Sequence, residues 1–257
     1  MAKPADKKLF IFDLDGTLAP SKSVMDAEMA GILGQLLSTG KSVAVISGGA
    51  LPQYEKQFLN GLAAPAEQLA RVFIFPTCGA AFYRHDGGAW RLVYEERLTE
   101  QERDKIFGAF MAAWRDAEYA NPARLYGEVL EYRGTQVTFS ALGQQAPLAE
   151  KHAWDPTRAK RLKLQAAVVK YLPEFDVKLG GSTSLDVTRR GVDKAYGIAR
   201  MEKHLGFKKS EMIFFGDAIF PGGNDYPVKL AGVDCVAVTG PEDTKNRLQD
   251  ILLRDSI

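Results

Sequence analysis

The sequence predicts an α/β core built on a parallel sheet, interrupted by an inserted α+β domain with an antiparallel sheet. Three observations carry this. Short, largely apolar runs alternate with helical stretches in the first third of the chain, the pattern of strands buried on both faces and joined by helices. The same texture returns in the last quarter. Between the two, the spacing changes to amphipathic helices and alternating polar/apolar strands, which suit a sheet covered on one face only.

In chain order, Leu9–Phe12 is a continuous apolar strand. Asp26–Thr39 follows with Met29, Ile32, Leu33, Leu36 and Leu37 at helical spacing, and Gly40 is placed to end it. Ser42–Ile46 is a second strand, Leu51–Leu59 a helix and Val72–Phe75 a third strand. The middle opens with a helix over Glu100–Trp114, its apolar stripe at Ile106, Phe107, Phe110, Met111 and Trp114. Glu128–Arg133 and Gln136–Ser140 alternate as a hairpin around Gly134-Thr135. Pro156–Tyr171 is a second helix with Lys and Arg on one face, and Val177–Gly180 with Ser184–Thr188 forms another hairpin. The core resumes with a helix at Asp193–Leu205, a strand at Met212–Phe215, a helix at Pro227–Leu230 and a strand at Cys235–Val238. These changes of pattern place a core domain at 1–84 and 188–257 and the inserted domain at 85–187.

Composition narrows the function classes. The 257 residues carry 33 Lys+Arg against 32 Asp+Glu, a formal charge of +1, which argues against a nucleic-acid binder. Hydrophobic residues at 46% and charged residues at 25% are ordinary globular values, which exclude a disordered chain. No apolar run approaches the ~18 residues of a membrane span. Cys78 and Cys235 are too few for a disulfide framework and lack metal-site spacing. The expectation is a cytoplasmic, soluble protein with neither a nucleic-acid nor a membrane partner.

Four patches carry chemistry, each after a strand or opening a helix beside the sheet. Phe12-Asp13-Leu14-Asp15-Gly16-Thr17-Leu18 follows the first strand, where ligands of open α/β sheets bind. Two aspartates so close repel unless a cation or a proton is shared, and one can attack phosphorus while the other moves a proton. Ser47-Gly48-Gly49 follows the second strand and offers a hydroxyl and backbone N–H groups to an anion, or a simple serine turn. Lys194 opens a helix, where its ammonium can reach the same crevice. Gly216-Asp217, continued by Pro221-Gly222-Gly223-Asn224-Asp225, follows a late core strand and reads as a metal site.

In this order the four patches resemble the motifs of the haloacid dehalogenase superfamily, with a Rossmann-like core and the type II cap inserted between the second and third. Further stretches are similar to the eukaryotic-type phosphomannomutase family: Phe75-Pro76, Glu131-Tyr132-Arg133, Gly180–Ser184 with Asp186-Val187, Pro221–Asp225, and Val238–Thr244. The resemblance implies Asp13 as nucleophile, Asp15 as general acid/base and Lys194 in catalysis. It implies Mg2+ held by Asp13, the Asp15 main-chain carbonyl and Asp217, with Asn224 and Asp225 supporting that shell. Gly16, Thr17, Ser47 and Gly48 would bind the transferring phosphate. Arg133, Ser184 and Asp186 match cap positions that hold a phosphosugar, Lys22 and Lys151 stand near two further positions, and a homodimer through the cap is expected.

The departures decide between outcomes. Where the family has a second cap arginine this chain has Gln144, and where it has a third it has Lys151. Neither replaces a bidentate guanidinium. The arginine after Asp-Gly-Thr is replaced by Lys22 one position out of register, and a second cation site falls on Lys229 and Ala231, which offer no carboxylate. Hydrolysis of a sugar phosphate through an aspartyl-phosphate is therefore the leading expectation. Interconversion of mannose 1-phosphate and mannose 6-phosphate is the alternative, and a non-catalytic sugar-phosphate module is a third.

Overall fold

The computed structural model of the protein describes residues 6–62, 64–120 and 122–255. The chain forms two compact units, one of Met1–Glu95 with Asp193–Ile257 and the other of Glu96–Val192.

In the first unit a seven-stranded sheet runs in the order β11-β10-β1-β2-β3-β4-β5. Its strands are β1 (Leu9–Phe12), β2 (Ser42–Ile46), β3 (Val72–Phe75), β4 (Ala81–Asp86), β5 (Ala89–Glu95), β10 (Met212–Gly216) and β11 (Asp234–Ala237). The five strands β11 to β3 are parallel, and β4 and β5 add an antiparallel hairpin at one edge. The parallel sheet expected from the apolar runs is present, and the edge hairpin is an addition to it that the sequence does not signal, because β5 mixes exposed apolar and polar residues without a clean alternation. The division of the chain at Glu95/Glu96 therefore falls beyond 84/85, and β9 (Ser184–Arg189) carries the second division to Val192/Asp193.

Side chains of the central strands alternate between two covered faces. Phe10, Phe12, Val43, Val45, Ile213 and Phe215 pack with Met29, Ile32, Leu33, Leu36 and Leu37 of α1 (Ala27–Ser38), Tyr54 of α2 (Leu51–Gln57) and Leu248 of α9 (Pro241–Asp255). Leu9, Ile11, Ala44, Ile46, Met212 and Phe214 pack with Ile198 and Met201 of α7 (Lys194–Leu205) and Val228 of α8 (Tyr226–Leu230). A short helix, α3 (Ala66–Leu69), precedes β3. The helix expected over Leu51–Leu59 ends at Gln57 and continues as a 3-10 turn over Leu59–Gly61.

The second unit is a four-stranded antiparallel sheet, order β6-β7-β9-β8, where β6 is Leu130–Tyr132, β7 Gln136–Ser140 and β8 Phe175–Leu179. Register gives it two unlike faces. Val137, Phe139, Leu185, Val187, Phe175 and Val177 meet Ile106, Phe110 and Ala113 of α4 (Glu100–Asp116) and Leu164 and Val168 of α6 (Ala159–Tyr171). On the other face Glu131, Thr138, Asp186 and Lys178 form one cross-strand row. A third helix, α5 (Leu148–Trp154), was not expected from sequence. Thr99 caps α4, accepting from the Glu102 N–H while the Glu102 carboxylate accepts from the Thr99 N–H.

One close approach in the first unit sets where α7 can lie. Gly79 has φ +86°, and a Cβ there would come within 2.5 Å of Gly197 Cα. Gly79→Ala should therefore destabilise the protein by about 2–4 kcal/mol, from left-handed strain plus overpacking. Gly34→Ala on α1, where a Cβ meets nothing within 4 Å, should be neutral or stabilising by up to ~1 kcal/mol. Urea melts of the two variants test the contrast, and equal stabilities would contradict it.

Candidate functional site

Parallel neighbours bring the ends of β1, β2 and β10 side by side, and the residue after each is Asp13, Ser47 and Asp217 in turn. The sheet order also reverses at this point, with the chain leaving β1 toward β2 and β3 on one side and filling β10 and β11 on the other. Ligand crevices of open α/β sheets form there. Phe12 is level with Phe215, and the Asp13 N–H donates to the Phe215 carbonyl at 3.0 Å, which locks the first loop onto β10.

The loop is tight. The Leu14 carbonyl accepts from the N–H groups of Thr17, Leu18 and Ala19, and the Gly16 N–H donates to the Ala19 carbonyl at 2.8 Å. Gly16 has φ +81°, and a Cβ on it would lie 2.5 Å from Asp217 Oδ2. Only glycine serves both conditions. Thr17 is fully buried, and its hydroxyl has no hydrogen-bond partner among the described residues.

Lys194 is the first residue of α7, whose N-cap Asp193 accepts from the Tyr196 N–H at 3.0 Å. Its ammonium is buried, donating to Asp13 Oδ1 at 2.5 Å and to Asp225 Oδ1. The other Asp225 oxygen accepts from the Ala218 N–H at 3.0 Å. Oxygens of Asp13, Asp217 and Asp225 lie within 4.8 Å of one another. The three carboxylates thus face a single ammonium, and their excess negative charge is what a divalent cation with oxygen ligands would neutralise. Both Asp225 oxygens already accept N–H bonds, which leaves Asp13 and Asp217 the better placed side-chain donors.

Burial pushes the Asp13 carboxyl up to about 7, with Lys194 opposing and Asp225 and Asp217 adding to the rise. Burial also raises Asp217, again with Asp225 adding. For Lys194 burial acts downward, but Asp13 and Asp225 outweigh it and hold the ammonium above its ordinary range.

The remaining sequence candidates divide. The Asp15 carboxylate stands outside the acidic cluster. Its Oδ1 accepts from the Lys22 N–H at 2.6 Å and Gln57 Nε2 at 3.0 Å, and its Oδ2 from Gln53 Nε2 at 2.9 Å. Lys22 meets Asp15 through its main chain at φ +56°. The Ser47 hydroxyl accepts from the Gly49 N–H at 3.3 Å, the serine-turn geometry, with Gly48 between them. Asn224 is exposed, and Asp225 beside it is fully buried. In the second unit, Arg133 pairs with Glu131 at 2.7 Å and reaches Gln144 Oε1 at 3.4 Å. Asp186 Oδ1 accepts from Gln136 Nε2 at 2.9 Å and Thr138 Oγ1 at 2.7 Å, while Ser184 Oγ lies 3.1 Å from Ser140 Oγ. Lys151 is buried, its ammonium donating to the Gln144 carbonyl at 2.8 Å. Sequence reasoning missed Gln53 and Gln57. Two glutamines four residues apart on one helix, directly after Ser47-Gly48-Gly49, were the available signal.

A family model for eukaryotic phosphomannomutase matches residues 40–254. A phosphomannomutase of Spinacia oleracea is 28% identical over 260 residues, covering 98% of either chain. That of Schizosaccharomyces pombe is 28% identical, covering 95% of this chain and 94% of the relative. Among solved structures, Plasmodium falciparum IMP-nucleotidase superposes with TM-score 0.72 at 15% identity, over 98% of this chain and 69% of that one. A haloacid dehalogenase-like hydrolase from Bacteroides thetaiotaomicron gives 0.60 at 15% identity, over 95% and 99%. These structural likenesses speak to the fold.

The raised Asp13 pKa has a measurable consequence. A raised carboxyl pKa favours the folded state at low pH, and that contribution is lost as the pH rises through about 7. A cation must displace the same proton, so divalent-cation affinity should rise steeply below about 7 and flatten above it. Calorimetric titration with Mg2+ in buffers of different ionisation enthalpy should show proton release at about pH 6 and little at about pH 8. Affinity independent of pH across that interval would remove Asp13 from the site.

Proposed function

The chain belongs to the eukaryotic phosphomannomutase family, and from that premise we propose that it is a Mg2+-dependent sugar-phosphate phosphatase working through an aspartyl-phosphate. That it is a phosphoryl-transfer enzyme of the haloacid dehalogenase type, phosphatase or phosphomannomutase-like, follows from the family and the fold together. The choice of hydrolysis within that class rests on this chain's own residues.

In the proposed cycle Asp13 Oδ2, the oxygen not bonded to Lys194, attacks phosphorus as the bond from phosphorus to the sugar oxygen breaks. Asp15 gives its proton to that leaving oxygen. Water then attacks the aspartyl-phosphate, the Asp13–phosphorus bond breaks, and the water's proton returns to Asp15, so the cycle closes with phosphate and free sugar. Lys194 holds Asp13 in place and, with Ser47, the Gly48 N–H and the Thr17 hydroxyl, meets the equatorial phosphate oxygens. Asp13, Asp217 and the Asp15 main-chain carbonyl would hold Mg2+, which when bound offsets the repulsion between carboxylate and phosphate.

The observation that carries hydrolysis over isomerisation is the state of the second unit. A mutase must grip a second phosphate that is not reacting. Here Arg133 is already paired with Glu131, the next position is the uncharged Gln144, and the Lys151 ammonium is buried against a main-chain carbonyl. Each missing charge-assisted hydrogen bond is worth about 1.5–3 kcal/mol, enough to weaken a bound bisphosphate at least about tenfold. Full-length similarity to named phosphomannomutases supports the second reading, interconversion of mannose 1- and 6-phosphates.

Phosphorus NMR of the protein with Mg2+ and hexose 1- and 6-phosphates, with and without a hexose 1,6-bisphosphate, separates the two. Phosphate release should exceed isomerisation, and the reverse would install the mutase reading. Gln144→Arg combined with Lys151→Arg should raise the ratio of isomerisation to hydrolysis. Asp13→Asn should lower turnover by several orders of magnitude with the fold intact, and ordinary activity in that variant would end the aspartyl-phosphate mechanism.

A further inference from the structure

The Asp15 carboxylate is held by helix α2. Gln53 and Gln57 lie four residues apart, on one face of the helix, and each sends its amide to a different oxygen of Asp15, at 2.9 and 3.0 Å. The Lys22 N–H adds a third bond at 2.6 Å to the oxygen that Gln57 meets. Among the described residues no cation side chain pairs with Asp15. Gln57 is 1% exposed and also donates to the Ser23 carbonyl at 2.9 Å, so its amide is anchored at a second point. Among the described residues, the one side-chain hydrogen bond of Gln53 is that to Asp15. A Cβ at position 49 would come within 2.2 Å of Gln53 Oε1, so Gly49 leaves the space this side chain occupies.

We propose that Gln53 and Gln57 are positioning residues for the proton-transferring carboxylate, aiming Asp15 at the leaving oxygen. The inference rests on the reading of Asp15 as the acid/base given above. A proton donor works only within hydrogen-bond reach, about 2.6–3.2 Å, of the atom it serves. Asp15 sits on a tight loop and, without α2, would keep among the described residues one main-chain N–H bond, that of Lys22. Two neutral amides fix both its oxygens without placing a competing charge beside it.

The contribution is separable by leaving group. 4-Nitrophenolate departs without help, so phosphorylation of Asp13 by 4-nitrophenyl phosphate needs no proton from Asp15. A hexose 6-phosphate has an alkoxide leaving group that does. Hydrolysis of the aspartyl-phosphate needs Asp15 in both cases. Gln53→Glu keeps the shape and replaces the donor with an acceptor facing Asp15, and Gln53→Met removes the bond without adding a charge. In both variants kcat/KM for the hexose phosphate should fall about tenfold more than for 4-nitrophenyl phosphate. The aryl substrate should also show a nitrophenolate burst of about one per active site before a slowed steady state. In Gln53→Met, which adds no charge, Mg2+ affinity and the thermal midpoint should stay at wild-type values, which a merely structural role for Gln53 would not leave in place.

Asp15→Asn, measured in parallel, separates the two levels of the reading. If Asp15→Asn shows the leaving-group dependence and the Gln53 variants lose both substrates equally or lose nothing, the positioning role is overturned. If Asp15→Asn itself shows no such dependence, or the wild-type protein turns over neither substrate, the assignment of Asp15 fails and the positioning role falls with it.

Discussion

The buried ammonium of Lys194, shared between Asp13 and Asp225, is the contact on which the site's arrangement depends. Removing a charge from water is costly unless it is paired and fully hydrogen-bonded, and removing one partner of such a cluster leaves an uncompensated buried charge. The three side chains come from distant parts of the chain: the end of β1, the start of α7 and the N-cap of α8. Their mutual satisfaction therefore ties one face of the sheet, and the helices on it, to a single loop. That arrangement leaves Asp217 beside the cluster without a cation of its own among the described residues, and a negative crevice at the end of the sheet.

Packing makes that crevice possible. Four strands of the sheet, β1, β2, β3 and β10, are buried almost throughout, so the loops that leave them stand on a rigid platform. Tyr54 contributes from beneath, its hydroxyl donating to the Phe75 carbonyl at 2.9 Å and lying 3.3 Å from the Ser47 carbonyl. Burial drives the Tyr54 phenol well above its ordinary range, so it acts as a fixed neutral donor to the backbone there. A reactive carboxylate gains from such surroundings because donors held in place need not reorganise during the reaction.

The second unit solves a different problem with the same alternation. One face of its sheet is apolar and covered by α4 and α6, while the other places Glu131, Thr138, Asp186 and Lys178 in a row. Asp186 is held by Gln136 and Thr138, and Arg133 by Glu131, so the polar groups are oriented rather than loose. Positive charge on this face is balanced locally, Arg133 by Glu131 and Lys178 by Asp176.

Much of this was legible in the sequence. Continuous apolar runs implied strands buried on both faces, and helical spacing in Asp26–Thr39 named the residues of α1 that face the core. The loop Asp13–Leu18, Ser47, Lys194 and Asp217 were locatable because each follows a strand or opens a helix, and strand order alone carries such residues to one end of a parallel sheet. Tertiary structure decided the rest. The β4–β5 hairpin was invisible because an edge strand answers to no fixed pattern of burial. The direction of the Asp15 carboxylate, toward Gln53 and Gln57 rather than into the acidic cluster, depends on where α2 lies relative to the first loop. That position 144 is uncharged was readable, but the bond from the Lys151 ammonium to the Gln144 main-chain carbonyl was not. Local sequence sets which residues are polar and which elements form, whereas a side chain's partners are chosen by whatever distant backbone the fold brings within 3 Å, and no local pattern records that choice.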